Sequence, residues 1–291
     1  MSLRCTHVGV SADGKKRLAQ VDATLAPGRF TAILGPNGAG KSTLMSLLTG
    51  QRQPMGGQVL LRNRPLSAYS AADMATVRAV MLQESAVAFD FLVREVVELG
   101  RYPHRYQPTQ DEAGLVQQAM EATQVAHLAD RNVTTLSGGE KARVQLARAL
   151  AQVWHPRADG ADRWLFLDEP TAALDLAHQH QVMRLLREWV TREGLGVVAV
   201  LHDVNLALRY VDDVLVLDGR LAHFGPTHEV LSAQTLASVW GVSSQAVNSE
   251  DGVRQYLFAL WAVTLVSTTA APAAVPAGSW WQSLRSIWWW C

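Results

Sequence analysis

Gly35-Pro36-Asn37-Gly38-Ala39-Gly40-Lys41-Ser42 is the stretch that decides the fold. It matches the pattern G-x-x-x-x-G-K-[ST], in which glycines let consecutive backbone N–H groups turn toward one anion. Its setting is the one that chemistry requires. The preceding Phe30-Thr31-Ala32-Ile33-Leu34 is apolar and β-branched and reads as a buried strand, and a helix is expected from near Lys41. The start of that helix adds partial positive charge, Lys41 can reach β- and γ-phosphates, Ser42 is a candidate Mg²⁺ ligand, and Thr43 sits beside it. The whole run Gly35–Thr43 is therefore a candidate nucleoside-triphosphate cradle.

Outward from this loop, Trp164-Leu165-Phe166-Leu167 and Val197-Val198-Ala199-Val200-Leu201 are continuous apolar runs of strand length, each followed by polar residues and a helical pattern. That is the signature of parallel strands buried on both faces, so the expected class is α/β. Between about residues 84 and 160 the chain becomes charged and amphipathic. Val93, Val96, Val97 and Leu99, then Leu115, Ala119 and Met120, fall near helical spacing, so this stretch is expected to be a helical insert.

Composition limits the function classes. The chain has 291 residues, with 26 basic side chains balancing 26 acidic ones, and so no net field to draw it onto nucleic acid. Cys5 and Cys291 stand at opposite ends and offer neither a disulfide framework nor metal-ligand spacing. The first residues lack a signal-peptide pattern, and no long uncharged apolar span occurs before about Tyr256, so a membrane role is expected to come through partners. Beyond residue 256 the chain turns rich in Ala, Pro and Trp. Residues 1–256 are expected to form the ATP-binding domain and 257–291 a tail to which no role is assigned.

Leu136-Ser137-Gly138-Gly139-Glu140-Lys141 places a hydroxyl and bare backbone N–H groups at another helix start, a second anion site on the same chain. In isolation, an N-capping serine before a glycine turn is the better reading. It lies 95 residues after Ser42 and shortly before the Trp164 strand, and it resembles the signature of ATP-binding-cassette (ABC) proteins, usually written LSGGQ, with Glu140 replacing the common glutamine. The resemblance implies a P-loop NTPase cassette with a mixed-sheet, RecA-like core and a helical subdomain. It also implies two copies facing head to tail, so that Ser137, Gly138, Gly139 and Glu140 of one meet the γ-phosphate held by the P-loop of the other.

The same resemblance covers the rest of the hydrolytic set. Leu165-Phe166-Leu167-Asp168-Glu169 resembles the Walker B segment, where Asp168 serves Mg²⁺ and Glu169 is the general base. Ala173-Leu174-Asp175 matches the D-loop, His202 the switch histidine, and Gln83 the Q-loop glutamine that approaches Mg²⁺ and water. Relatives often stack adenine on an upstream aromatic. Val10 to Leu18 contains none, which leaves Lys15, Lys16 or Arg17 as candidates to cover the base.

Leu174 to His180, with the insert Trp154 to Asp162, looks like bacterial haemin-import ATP-binding proteins, and Gly100-Arg101-Tyr102-Pro103-His104 is shared more widely with siderophore-iron and cobalamin importers. The resemblance implies an ATPase energising haem import, with siderophore-iron or cobalamin import as the alternative and a soluble, non-transport ABC ATPase as a more remote one. Its implied partners are a second copy, two transmembrane permease subunits and, indirectly, a periplasmic haem-binding protein. It implies a peripheral position at the cytoplasmic face of the inner membrane. Phe89, Phe91 and Arg101 to His104 are the expected docking surface. His178 and His180, about 200° apart on a helix, are not expected to share a metal ion.

Overall fold

The computed structural model describes residues 2–11, 17–82, 90–157 and 159–259. Lys15, Lys16, Gln83, Phe89 and residues 260–291 lie outside the described residues. The chain opens with β1 (Leu3–Ser11), β2 (Arg17–Leu25), β3 (Phe30–Leu34) and α1 (Lys41–Leu48). It continues through β4 (Gln58–Leu61), β5 (Arg64–Pro65), α2 (Ala71–Val77) and β6 (Arg78–Met81). Three helices follow: α3 (Val93–Glu98), α4 (Glu112–Ala122) and α5 (Gly138–Gln152). The core resumes with β7 (Trp164–Asp168), α6 (Leu176–Glu193), β8 (Gly196–Val200), α7 (Val204–Tyr210) and β9 (Asp213–Leu217). The last elements are β10 (Ala222–Pro226), α8 (Thr227–Val230), α9 (Ala233–Trp240), β11 (Ser243–Asn248) and β12 (Arg254–Ala259).

The central sheet runs β10-β9-β3-β8-β7-β6, parallel throughout except for β10. Its strands read as unbroken apolar runs because both faces are covered, and side-chain alternation sorts them between two cores. Phe30, Ala32, Leu34, Leu165, Leu167, Val197, Ala199, Val214 and Val216 join the core shared with α5, α6 and α7. Ile33, Trp164, Phe166, Val198, Val200, Leu215 and Leu217 join the opposite core, with α1 and a second, antiparallel sheet of order β2-β1-β4-β5. That second sheet was not foreseen from the sequence. The expected mixed-sheet core is present, and β12 runs to Ala259, so the boundary expected at residue 256 falls inside a strand paired with β11.

The insert has a core of its own. Val93, Val96 and Val97 of α3 pack with Leu115, Val116, Ala119 and Met120 of α4 and Val144, Ala147 and Ala151 of α5. Two expectations fail here. Leu99 starts a 3₁₀ segment after α3 and is 51% exposed, because helical spacing of about 100° per residue puts Gly100 rather than Leu99 on the face of Val93, Val96 and Val97. Arg101, expected on a docking surface, is buried: its guanidinium donates to both Glu112 oxygens (2.7 and 3.1 Å) and to the Ala151 carbonyl (2.7 Å). His104 likewise turns inward to the Gln152 carbonyl at 2.8 Å, leaving Tyr102 and Tyr106 exposed, with Arg105 stacked on both rings.

The Arg101 guanidinium holds the Glu112 carboxyl at about 2, down from an ordinary value of 4.5. A depressed carboxyl contributes stability above its unfolded value that is lost as pH falls through the folded one. Glu112→Gln should therefore cost about 1–3 kcal/mol at neutral pH. Its unfolding curve and that of the parent should converge as the pH is lowered from 4.5 toward 2; parallel curves throughout would show that the pair contributes nothing.

Candidate nucleotide site

Ligand sites in open α/β sheets lie beyond the carboxyl ends of the strands, and three parallel strands deliver the expected residues there. β3 leads into the glycine loop, β7 ends on Asp168 and Glu169, and β8 is followed by Leu201 and His202. Gly35 has φ +149°, and a Cβ there would fall 2.2 Å from the Leu217 carbonyl oxygen, so a glycine is needed for the loop to pass β9. Gly40 caps α1 in the left-handed region (φ +99°), and no side chain caps that helix start. Its first-turn amides remain directed at the space above the loop.

Lys41 is buried and its Nζ donates to the Gly35 and Pro36 carbonyls at 3.0 and 3.1 Å, so the ammonium is folded onto its own loop. Burial pushes its pKa down, while the Glu169 and Asp168 carboxylates pull it back. Asp168 is 6% exposed, and burial raises its carboxyl above the usual range, with the Ser42 hydroxyl bonded to it and Lys41 acting in the opposite sense. Its Oδ1 is buried without a hydrogen-bond partner among the described residues. An orphaned carboxylate oxygen costs free energy unless something fills its coordination. A hard cation beside the Ser42 hydroxyl and phosphate oxygens fits that donor set, since Mg²⁺ takes one or two protein oxygens and keeps waters and phosphates.

Glu169 lies in the turn after β7 with φ +53°, a conformation that few non-glycine residues adopt and that clusters at functional positions. Its Oε1 lies 2.6 Å from His202 Nε2, joining two residues 33 positions apart. The histidine is itself held from behind. Asp203 caps α7, and the Asn205 amide takes both backbone groups of Tyr256 on β12, Nδ2 donating to the carbonyl (3.0 Å) and Oδ1 accepting from the N–H (2.8 Å). Nothing in the local sequence around Asn205 announced that clamp, because its partner lies 51 residues away.

Ser137, Gly138 and Gly139 begin α5 and rest on the D-loop turn, where a Cβ on Gly139 would meet the Ala173 carbonyl oxygen at 3.1 Å. Ser137 caps the helix and Glu140 closes a reciprocal capping box: the Ser137 N–H donates to Glu140 Oε2 (2.7 Å), and the Glu140 N–H to Ser137 Oγ (3.3 Å). The capping reading therefore holds at this helix start. Asp175 caps α6, accepting from the His178 N–H at 2.9 Å and pairing with the His178 ring at 2.8 Å. His180 instead meets the Tyr210 hydroxyl at 2.9 Å, so the two histidines serve different neighbours. Gln179, passed over as a site residue, donates to the Thr171 and Leu174 carbonyls and staples the D-loop turn. Its spacing of four from the capping Asp175 was the available signal. Gln83 lies outside the described residues.

A cradle of glycine amides and lysine, a carboxylate oxygen awaiting a cation, and a carboxylate paired with histidine, all above parallel strands, define a nucleotide-hydrolysing P-loop protein with a cassette signature. The chain belongs to the ABC transporter ATP-binding family, whose model matches residues 18–172. It is 44% identical over 232 residues to the hemin import ATP-binding protein HmuV of Escherichia coli, covering 79% of this chain and 89% of that one. With HmuV of Gloeobacter violaceus the identity is 45% over 244 residues, covering 83% and 88%. Among solved structures it is similar to an inward-facing transporter assigned to the metal-chelate type, with TM-score 0.74, 27% identity, and coverage of 89% of this chain and 97% of that one. Among the described residues no helix is long and apolar enough to cross a membrane.

Proposed function

We propose that this chain is the ATPase subunit of a haem importer, in which two copies close on two ATP molecules and drive conformational change in two permease subunits. The observation that carries the hydrolytic part is the Glu169–His202 contact at 2.6 Å beside the glycine loop. In this reading Gly35 to Thr43 wrap the phosphates, and Lys41 exchanges its loop carbonyls for β- and γ-oxygens. Ser42 and Asp168, with Gln83, hold Mg²⁺, which when bound neutralises phosphate charge. Glu169 accepts the proton of the attacking water, and His202 fixes that carboxylate and contacts the γ-phosphate. Ser137 to Glu140 and Asp175 face the nucleotide of the other copy.

Haem as cargo rests on the two HmuV relatives together with the resemblance of the Leu174-to-His180 and Trp154-to-Asp162 stretches to haemin-import ATP-binding proteins. The cargo passes through the permeases, fed by a periplasmic haem-binding protein, while this subunit stays peripheral at the cytoplasmic face. The corrected docking surface is the exposed Tyr102, Arg105 and Tyr106 rather than Arg101. The test is uptake in proteoliposomes containing this chain with candidate permease subunits and a periplasmic haem-binding protein. ATP-dependent haemin accumulation is expected. Transport of a ferric siderophore or cobalamin with haemin excluded would replace the cargo assignment and leave the ATPase reading intact.

A further inference from the structure

The signature of this chain departs from the usual LSGGQ by one residue, and the structure shows that residue engaged. Glu140 Oε2 takes the Ser137 N–H at 2.7 Å, and its other oxygen lies 3.9 Å from Arg131 Nη1. Arg131 also donates to the Thr135 carbonyl, so its ion pair with Glu140 is long and half-exposed, while Lys141 turns to the Thr134 carbonyl and Arg143 to the Gln124 carbonyl. The hydrogen bonds from Ser137 hold the Glu140 carboxyl below its usual range, which keeps it ionised at neutral pH. A negative charge therefore already occupies one orphan amide of α5 and offsets the positive end of that helix.

We propose that Glu140 is a resident anion that competes with the partner copy's γ-phosphate for the start of α5, and so raises the ATP concentration at which two copies close. The proposal rests on reading Ser137 to Gly139 as the γ-phosphate contact. For the phosphate to approach, the carboxylate must either leave the Ser137 amide or remain as a like charge within a few ångströms, and both routes weaken closure. A glutamine in its place keeps the capping acceptor and removes the charge. Glu140 is thus a positioning residue that sets a threshold, with no contact to the reacting water.

The experiment uses the full chain carrying Glu169→Gln, so that ATP-closed dimers persist, and follows dimer fraction against ATP concentration by light scattering. Adding Glu140→Gln is expected to lower the half-closure concentration about fivefold at low salt. The shift should shrink at high salt. The same substitution should slightly lower the melting temperature without nucleotide, because the helix start loses a favourable charge. A residue acting only as a cap would lower stability and weaken closure together. Unchanged or increased ATP demand in Glu140→Gln overturns the proposal. Gly138→Asp separates the two failures, since its Cβ has ordinary clearance, 3.7 Å from Ala173 Cβ. Loss of closure in Gly138→Asp with no gain in Glu140→Gln sinks the proposal and leaves the γ-phosphate reading standing. Undisturbed closure in Gly138→Asp sinks both.

Discussion

Glu169→Gln is expected to lower steady-state ATP hydrolysis by about 10²–10⁴-fold, the usual worth of a positioned general base. The amide is nearly isosteric with the carboxylate, so the turn after β7 and the φ of +53° at this position persist. What disappears is the proton acceptor held at 2.6 Å from His202 Nε2. ATP affinity should be retained, because Lys41 and the glycine amides are untouched, and ATP-bound dimers should accumulate instead of turning over. Groups that act as a unit are not additive, so Glu169→Gln with His202→Ala should be little slower than the worse single variant. Phosphate release and light scattering together check the prediction. A rate close to the parent's would move the base to another residue.

Lys41→Ala should abolish ATP binding at millimolar concentrations and also cost stability. The two effects have separate causes. Binding fails because the remaining amides cannot balance phosphate charge without the cation. Stability falls because the Gly35 and Pro36 carbonyls lose their donor (3.0 and 3.1 Å), worth about 1–3 kcal/mol for bonds to a charged group. The carboxylates of Asp168 and Glu169 lose a nearby cation at the same time. Lys41→Arg should not restore function, since a planar guanidinium does not fit a space shaped for a compact ammonium. Nucleotide titration calorimetry and thermal unfolding read the two effects apart; near-normal affinity in Lys41→Ala would remove Lys41 from the phosphate site.

The phosphate loop and central strands were legible because each is a local pattern: glycine spacing for the cradle, and unbroken apolar runs for β3, β7 and β8. The Ser137 helix cap was legible for the same reason. What escaped depends on contacts between distant positions. The antiparallel sheet is assembled from β1, β2, β4 and β5 on either side of the β3–α1 unit, so no single window shows it. The inward turn of Arg101 depends on Glu112 and on the Ala151 carbonyl 50 residues ahead, and motif resemblance alone suggested an exposed position. The Asn205–Tyr256 clamp and the reach of Gln179 to the D-loop are likewise products of the finished fold.

That clamp fixes an order of events during synthesis. The residues of the phosphate loop have been added by residue 42, and Glu169 and His202 by residue 202, but the amide of Asn205 finds its partners only when Tyr256 emerges. The cradle waits as well, since Gly35 must pass the Leu217 carbonyl and β3 lies between β8 and β9, so the loop is seated only after residue 217 and the helix behind His202 only after residue 256. Both sides of the site therefore depend on strands synthesised well after the residues that those strands hold in place.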